Sequence, residues 1–345
     1  MSYRPGPLNL ITDVDGISIG NAHDDKVMSG VTVILPDPDA IASVDVRGGA
    51  PATRETDALD PSSLVESVHA VVLSGGSVFG LDSATGVTQW LSDHGRGFTF
   101  ATQPRACPVV PSACLFDILN GGDKAWGPTA PYRQLGIDAC ERASSQFSLG
   151  NVGAGYGALA GRYKGGLGSA SAVIDGITVG AIVAVNSFGS PVIPGTNRFW
   201  AQLAEIDGEF GGLAGLPMEL TAASRSLTTD TKAAMVADAA AAGANTTIAV
   251  VATDARLTPS EAKRFAVMAT DGFARALRPV HTPFDGDTVF ALATGRRELE
   301  GPRPLALAML GAAASDSLAR AIARGVYEAE TLGPWLSYRQ SHRPA

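Results

Sequence analysis

The chain has 345 residues, 45% hydrophobic and 17% charged, so it can fill a large core and is not a disordered segment. A formal net charge of −8 and the lack of any Lys/Arg run argue against a nucleic-acid surface. The opening Met1-Ser2-Tyr3-Arg4-Pro5-Gly6-Pro7 has no signal-peptide apolar region, and no apolar run reaches roughly 18 residues without Gly or charge, so a cytoplasmic protein with no membrane partner is expected.

In chain order, Ile17-Ser18-Ile19 and Val31-Thr32-Val33-Ile34-Leu35 predict short strands, the second stopped by Pro36. Val44-Asp45-Val46 leads into the loop Arg47-Gly48-Gly49-Ala50-Pro51. Ala70-Val71-Val72-Leu73 reads as a buried strand, followed by Ser74-Gly75-Gly76-Ser77 and a helix over about 78–91, which is an α/β unit. Segments near 152–161, 169–174 and 177–185 read as strands, the last two joined by the hairpin dipeptide Asp175-Gly176. From about 220 to 244 the chain mixes Thr, Ser, Lys and Asp, then enters an Ala tract and Gly243. This predicts an exposed tether that tolerates a break. A strand is expected from Thr246 to about Thr253. Thr258-Pro259-Ser260-Glu261 starts a helix, with Thr as N-cap, Pro at the first position and Glu three residues on, running to about 277. Asp285-Gly286-Asp287 turns into a strand over 288–293, and a helix over about 304–323 follows. No linker divides the chain, so one α/β domain over 1–345 is expected.

Three cysteines (Cys107, Cys114, Cys140) without a CxxC pair suit neither a disulfide framework nor a thiolate zinc site, and each reads as a small buried hydrophobe. The five histidines are scattered, so no metal and no cofactor is expected. Forty glycines spread through apolar segments suggest tight turns and close backbone approach, which fits packed sheets better than a helical bundle.

The most informative stretch is Gly243-Ala244-Asn245-Thr246-Thr247-Ile248, where a small lead-in meets a β-branched strand. Asn followed by Thr is a common exit from a turn into a strand. It also suits self-cleavage between Asn245 and Thr246. The new N-terminus would join a hydroxyl nucleophile to an α-amine that titrates at about 7.7–8.0, a base on the same residue. Before the cut no free amine exists, so another group must take the proton. Asp285 and Asp287, at i and i+2, are candidates, one as base and one as orienter; the alternative is a solvated turn. Asn186, after the apolar strand, offers an amide for an oxyanion or a plain turn residue. Two other motifs carry less. Gly75-Gly76-Ser77-Val78-Phe79 has Phe where G-x-S-x-G needs Gly. Gly153-Ala154-Gly155-Tyr156-Gly157-Ala158, with Asp175 downstream, matches a loose dinucleotide pattern and keeps open a nucleotide-binding oxidoreductase.

Several words of the chain together resemble the DmpA-type aminopeptidases: Arg47-Gly48-Gly49-Ala50-Pro51, Leu73-Ser74-Gly75-Gly76-Ser77, Gly150-Asn151-Val152-Gly153-Ala154-Gly155, Lys164-Gly165-Gly166-Leu167-Gly168-Ser169, Val183-Ala184-Val185-Asn186, Asn245-Thr246-Thr247-Ile248 and His281-Thr282 through Asp285-Gly286-Asp287-Thr288. These are self-processing N-terminal-nucleophile hydrolases that include β-peptidyl aminopeptidases and the nylon-oligomer (6-aminohexanoate) endohydrolase. The resemblance implies a four-layer αββα sandwich, cut into an α chain (1–245) and a β chain (246–345) that assemble as a homotetramer of αβ pairs. It implies Thr246 as nucleophile, Asn186 as the oxyanion or positioning amide, and Asp285 and Asp287 as orienting residues, acting on small peptides or amides. Two positions depart from the nylon-oligomer branch. Its Lys falls at Arg162, with Lys164 two residues on, and Arg stays charged where an amine could lose a proton. A Tyr near its site falls at Phe116, which lacks the hydroxyl. Both departures bear on substrate contacts and weaken nylon-oligomer hydrolysis more than amide hydrolysis in general.

Overall fold

In the computed structural model, which describes residues 3–102, 104–212, 224, 226, 228–234 and 245–342, alternating apolar side chains build three separate cores. In chain order the strands are β1 (Tyr3–Arg4), β2 (Ile17–Asp24), β3 (Ser29–Pro36), β4 (Ala40–Val46), β5 (Thr53–Arg54), β6 (Ser67–Val68), β7 (Val71–Ser74), β8 (Ser112–Cys114), β9 (Leu159–Ala160), β10 (Tyr163–Lys164), β11 (Gly166–Ile174), β12 (Ile177–Asn186), β13 (Thr246–Ala255) and β14 (Thr288–Arg297). The longer helices are α1 (Asp82–Asp93), α2 (Tyr132–Glu141), α3 (Pro259–Ala276) and α4 (Arg303–Tyr327). Among the described residues the strands form a seven-stranded sheet, β1-β11-β12-β13-β14-β4-β6, and a five-stranded sheet, β2-β3-β7-β8-β5, beside the ribbon β9-β10.

Strand β13 shows how period-two alternation serves two cores at once. Ile248, Val250 and Ala252 face the smaller sheet and meet Ile34 and Leu73. Ala249 and Val251 point the other way, onto Phe265 and Phe273 of α3 and Leu318 of α4. Outside the smaller sheet, Val31, Val33 and Val72 pack on Val87 and Leu91 of α1 and Leu135 and Ala139 of α2. The layers therefore run helix, sheet, sheet, helix, the four-layer αββα sandwich. Helix α4 is long and apolar enough to cross a membrane by length and composition, and 61% of that window is buried inside the protein. It lies so close to β11 that a Cβ on Gly168 would stand 1.9 Å from the Ala321 carbonyl oxygen.

Most expected elements are found, several of them longer. The reading over 152–161 needs correction: only Leu159–Ala160 pairs as strand, and Gly153–Gly155 is a 3-10 turn with Gly153 at φ 50°. That turn wedges between the sheets, where Ala154 N–H donates to Thr32 Oγ1 at 3.0 Å. No helix follows it, so the strand–turn–helix context of a dinucleotide fingerprint is missing. Helix α2 was not anticipated, although Tyr132, Leu135, Gly136, Ala139 and Cys140 line its buried face at helical spacing. Cys114 and Cys140 are buried, whereas Cys107 is exposed. Much of the expected tether over 220–244 lies outside the described residues. Its described part departs from expectation, since Thr231 and Lys232 are buried rather than exposed.

Candidate active site

The strand pattern alone brings distant residues to one sheet edge. Antiparallel pairing of β12 with β13 ends with Asn186 opposite Thr246. β13 and β14 pair in parallel, with Ile248 beside Thr288, so both strands begin at this edge and the Asp285-Gly286-Asp287 turn arrives next to Thr246. Alternation back from Ile248 and Ile182 turns Thr246 and Asn186 toward the space between the sheets. All four predicted residues, Thr246, Asn186, Asp285 and Asp287, are buried, as is Asn245.

The contact to the Thr246 hydroxyl is made by backbone: Gly286 N–H donates to Thr246 Oγ1 at 2.9 Å. A Cβ on Gly286 would stand 2.8 Å from that oxygen and 2.7 Å from the Ala50 carbonyl oxygen, so only glycine fits. The Asp-Gly-Asp turn is held by the Arg47–Pro51 loop: Arg47 N–H donates to Asp287 O at 3.0 Å and Ala50 N–H to Asp285 O at 2.8 Å. Gly48 allows this approach, since its Cβ would lie 2.3 Å from Asp285 O and Asp287 N. Thr246 itself has φ 148°, a genuine outlier for a β-branched residue.

The two carboxylates support the site through the chain rather than by touching the hydroxyl. Asp287 accepts from Thr247 N–H at 2.8 Å, from His281 N–H at 3.0 Å and has His281 Nδ1 at 2.9 Å. Asp285 accepts from Phe188 N–H at 3.1 Å and from the amide and hydroxyl of Thr282. Burial, reinforced by the neighbouring Asp287, pushes the Asp285 carboxyl up to about 6.

Asn186 is oriented without ambiguity. Its Oδ1 accepts from Asn120 Nδ2 at 2.9 Å, Leu159 N–H at 2.9 Å and Lys232 Nζ at 3.1 Å, while its Nδ2 donates to Phe116 O at 2.9 Å. An amide nitrogen carries two hydrogens, and Phe116 takes one. Phe116 thus meets the site through its carbonyl; the side-chain hydroxyl missing there is not what holds Asn186.

Where Arg162 stands in place of a deprotonatable amine, the structure holds two lysines in its interior. Arg162 is half exposed and pairs with Asp230 at 2.9 Å, so it anchors a neighbouring segment. Lys164 is fully buried, its Nζ donating to Gly155 O at 3.1 Å and Gly165 O at 2.7 Å, and burial pulls its amine down to about 7. Lys232, which was not singled out, is a second buried amine lowered to about 7 by burial. Neither burial shows in sequence, because a lone Lys is ordinarily solvated. Among the described residues no cluster of three or more His, Cys, Asp or Glu could hold a metal ion.

A glycine-lined sheet edge carrying a buried hydroxyl, two carboxylates and an oriented amide can be compared with known proteins. The structure of the L-aminopeptidase D-Ala-esterase/amidase from Ochrobactrum anthropi, described as a variant of the Ntn-hydrolase fold, matches with TM-score 0.69 at 22% identity, over 97% of this chain and 90% of that one. The fold is therefore that of the Ntn hydrolases. The chain also matches the family model for peptidase family S58 over residues 9–335. It is 44% identical to an uncharacterized aminopeptidase of Mycobacterium tuberculosis, over 96% of this chain and 97% of the relative. It is 30% identical to a 6-aminohexanoate-oligomer endohydrolase of Paenarthrobacter ureafaciens, over 83% and 75%. The class is a hydrolase of peptide and amide bonds. The chain belongs to peptidase family S58.

Proposed function

We propose that this protein is an autoproteolytic N-terminal-threonine amide hydrolase that releases N-terminal residues from small peptides or amides. The observation that carries the reading is Thr246 at the head of β13, its hydroxyl on the Gly286 N–H and its backbone in a strained conformation opposite Asn186. In the first step Thr246 Oγ attacks the Asn245 carbonyl carbon, and its proton is relayed by way of the Asp285–Asp287 pair to Thr246 N, which leaves as the amine. The bond to Thr246 N breaks, leaving an ester and a free amine, and water hydrolyses the ester to release Asn245 as a carboxylate. The strain at φ, about 1–3 kcal/mol for such outliers, favours this step, because an N-terminal residue has no φ. The products are chains 1–245 and 246–345, which stay paired in a homo-oligomer within one domain.

In turnover the freed α-amine takes the hydroxyl proton as Oγ attacks the substrate carbonyl, and passes it to the leaving amine. Water then clears the acyl-enzyme. The second Nδ2 hydrogen of Asn186 serves the oxyanion. The identity to a 6-aminohexanoate-oligomer endohydrolase supports a second reading, internal cleavage of linear amide oligomers, which product lengths separate from stepwise release. Intact mass tests the shared core. The wild type resolves into two chains, and Thr246→Ala stays whole and inactive; a Thr246→Ala protein that still splits would move the nucleophile elsewhere.

A further inference from the structure

Lys232 is a buried ammonium-bearing side chain on the segment preceding the scissile bond, and none of the steps above uses it. Its Nζ donates twice to one residue, to Asn186 O at 3.2 Å and Asn186 Oδ1 at 3.1 Å. Its backbone is docked as well. Lys232 N–H donates to Phe188 O at 3.1 Å, on the same residue whose N–H is held by Asp285. Upstream, Arg162 N–H donates to Asp230 O at 3.2 Å and the Arg162 guanidinium pairs with the Asp230 carboxylate. The segment is thus strapped to the end of β12 by main chain and a buried amine, and to the turn between β9 and β10 by an ion pair.

Resting on the reading of Thr246 as nucleophile, we infer that Lys232 is a positioning residue: it clamps Asn186 so that the amide nitrogen faces the reacting carbonyl, and it keeps its own segment docked at the end of β12 after scission. The physical argument concerns the amide. Asn120 Nδ2 and Leu159 N–H already donate to Oδ1, but a side-chain amide can still tilt about its last torsion. The third donor also grips the Asn186 main-chain oxygen, so side chain and strand end are locked together at the ladder partner of Thr246. Lys232 and Thr246 are fourteen positions apart, and both meet Asn186. A break before Thr246 leaves the Lys232 clamp on its own chain untouched. Burial lowers the amine, while the carboxylates of Asp285 and Asp117 pull it back toward the charged form.

The test replaces Lys232 with Met, which keeps the stem and removes the donor, and with Gln, which keeps one donor. Scission is followed by intact mass, and kcat and KM are measured on aminoacyl anilides with the fully cut protein. The expected order of both scission rate and kcat is wild type, Lys232→Gln, Lys232→Met. The last is lowered at least tenfold in kcat with KM changed less than threefold, since positioning acts on the transition state rather than on ground-state binding. Lys232→Ala supplied with n-propylamine recovers part of the lost rate, which a residue that only fills space would not permit. Lys232→Met within twofold of wild type in kcat, or an equal loss in Gln and Met with no amine rescue, would overturn the role. If Lys232→Met does not fold, the Gln variant and the amine rescue decide alone. Failure of the underlying reading shows separately, as a Thr246→Ala protein that still cuts or turns over.

Discussion

Gly286→Ala is the sharpest structural perturbation of the site that leaves every functional side chain in place. The added methyl carbon would sit 2.8 Å from Thr246 Oγ1 and 2.7 Å from the Ala50 carbonyl oxygen. Carbon–oxygen contacts that short require something to shift, and Ala50 O belongs to backbone. The hydroxyl can rotate away only by abandoning the 2.9 Å bond from Gly286 N–H. Overpacking of this kind costs about 1–3 kcal/mol, which for a chain this large lowers Tm by about 2–4 °C per kcal/mol. Displacing the attacking hydroxyl by about 1 Å from its held position costs about 10²-fold in rate. Scission should therefore slow at least a hundredfold while the protein remains folded. Intact mass over time gives the rate and calorimetry gives Tm. Gly176→Ala supplies the control: its φ of 86° strains any side chain, but nothing lies within 4 Å of the new carbon, so it should destabilise without slowing scission. Scission of Gly286→Ala at the wild-type rate, with Tm lowered as expected, would refute the placement of the Thr246 hydroxyl against this N–H.

Asp285 has a carboxyl raised in the folded state, so its ionisation opposes folding above about pH 6, and the penalty fades as pH falls toward the unfolded value. Asp285→Asn should raise Tm at pH 8, give no gain near pH 4, and slow scission; a stabilisation that is equal at both pH values would contradict the assigned cause. Farther away, fully buried Arg320 holds Glu209 with two bonds, at 2.5 and 3.0 Å. Glu209→Gln should cost about 3–5 kcal/mol in a denaturant titration, because it leaves a buried cation uncompensated. Replacing both partners with Met should recover much of that loss, and a double variant no better than the single one would count against this account.

The strands and helices were legible where they rest on local chemistry, whereas the αββα layering and the grouping of Thr246, Asn186, Asp285 and Asp287 followed from the resemblance to the DmpA-type family. The capping box of α3 forms, with Thr258 N–H donating to Glu261 at 2.8 Å and Glu261 N–H to Thr258 Oγ1 at 3.3 Å. The glycine words Arg47–Pro51 and Asp285–Asp287 turn out to be one feature, two backbones in contact, which a linear reading could flag but not join. Lys164 is legible only as the neighbour of Arg162, and Lys232 is not legible at all, for a physical reason. What makes them functional candidates is complete burial against carbonyl and amide oxygens, a property of tertiary packing with no local signature. The reading over 152–161 failed because its glycines suited strand turns and a wedge equally well, and the choice lay with β3, more than a hundred residues earlier.

The place of β13 in its sheet has a consequence for the cut molecule. The strand is flanked by β12 on one side and β14 on the other, and β14 in turn pairs with β4. A break before Thr246 would therefore leave two polypeptides interleaved, with strands of the second inserted between strands of the first. Neither piece could close its own sheet. Unfolding in urea would convert one molecule into two solutes, and recovery of the native state would become second order, its half-time lengthening on dilution, whereas an intact Thr246→Ala chain would refold at a rate independent of concentration.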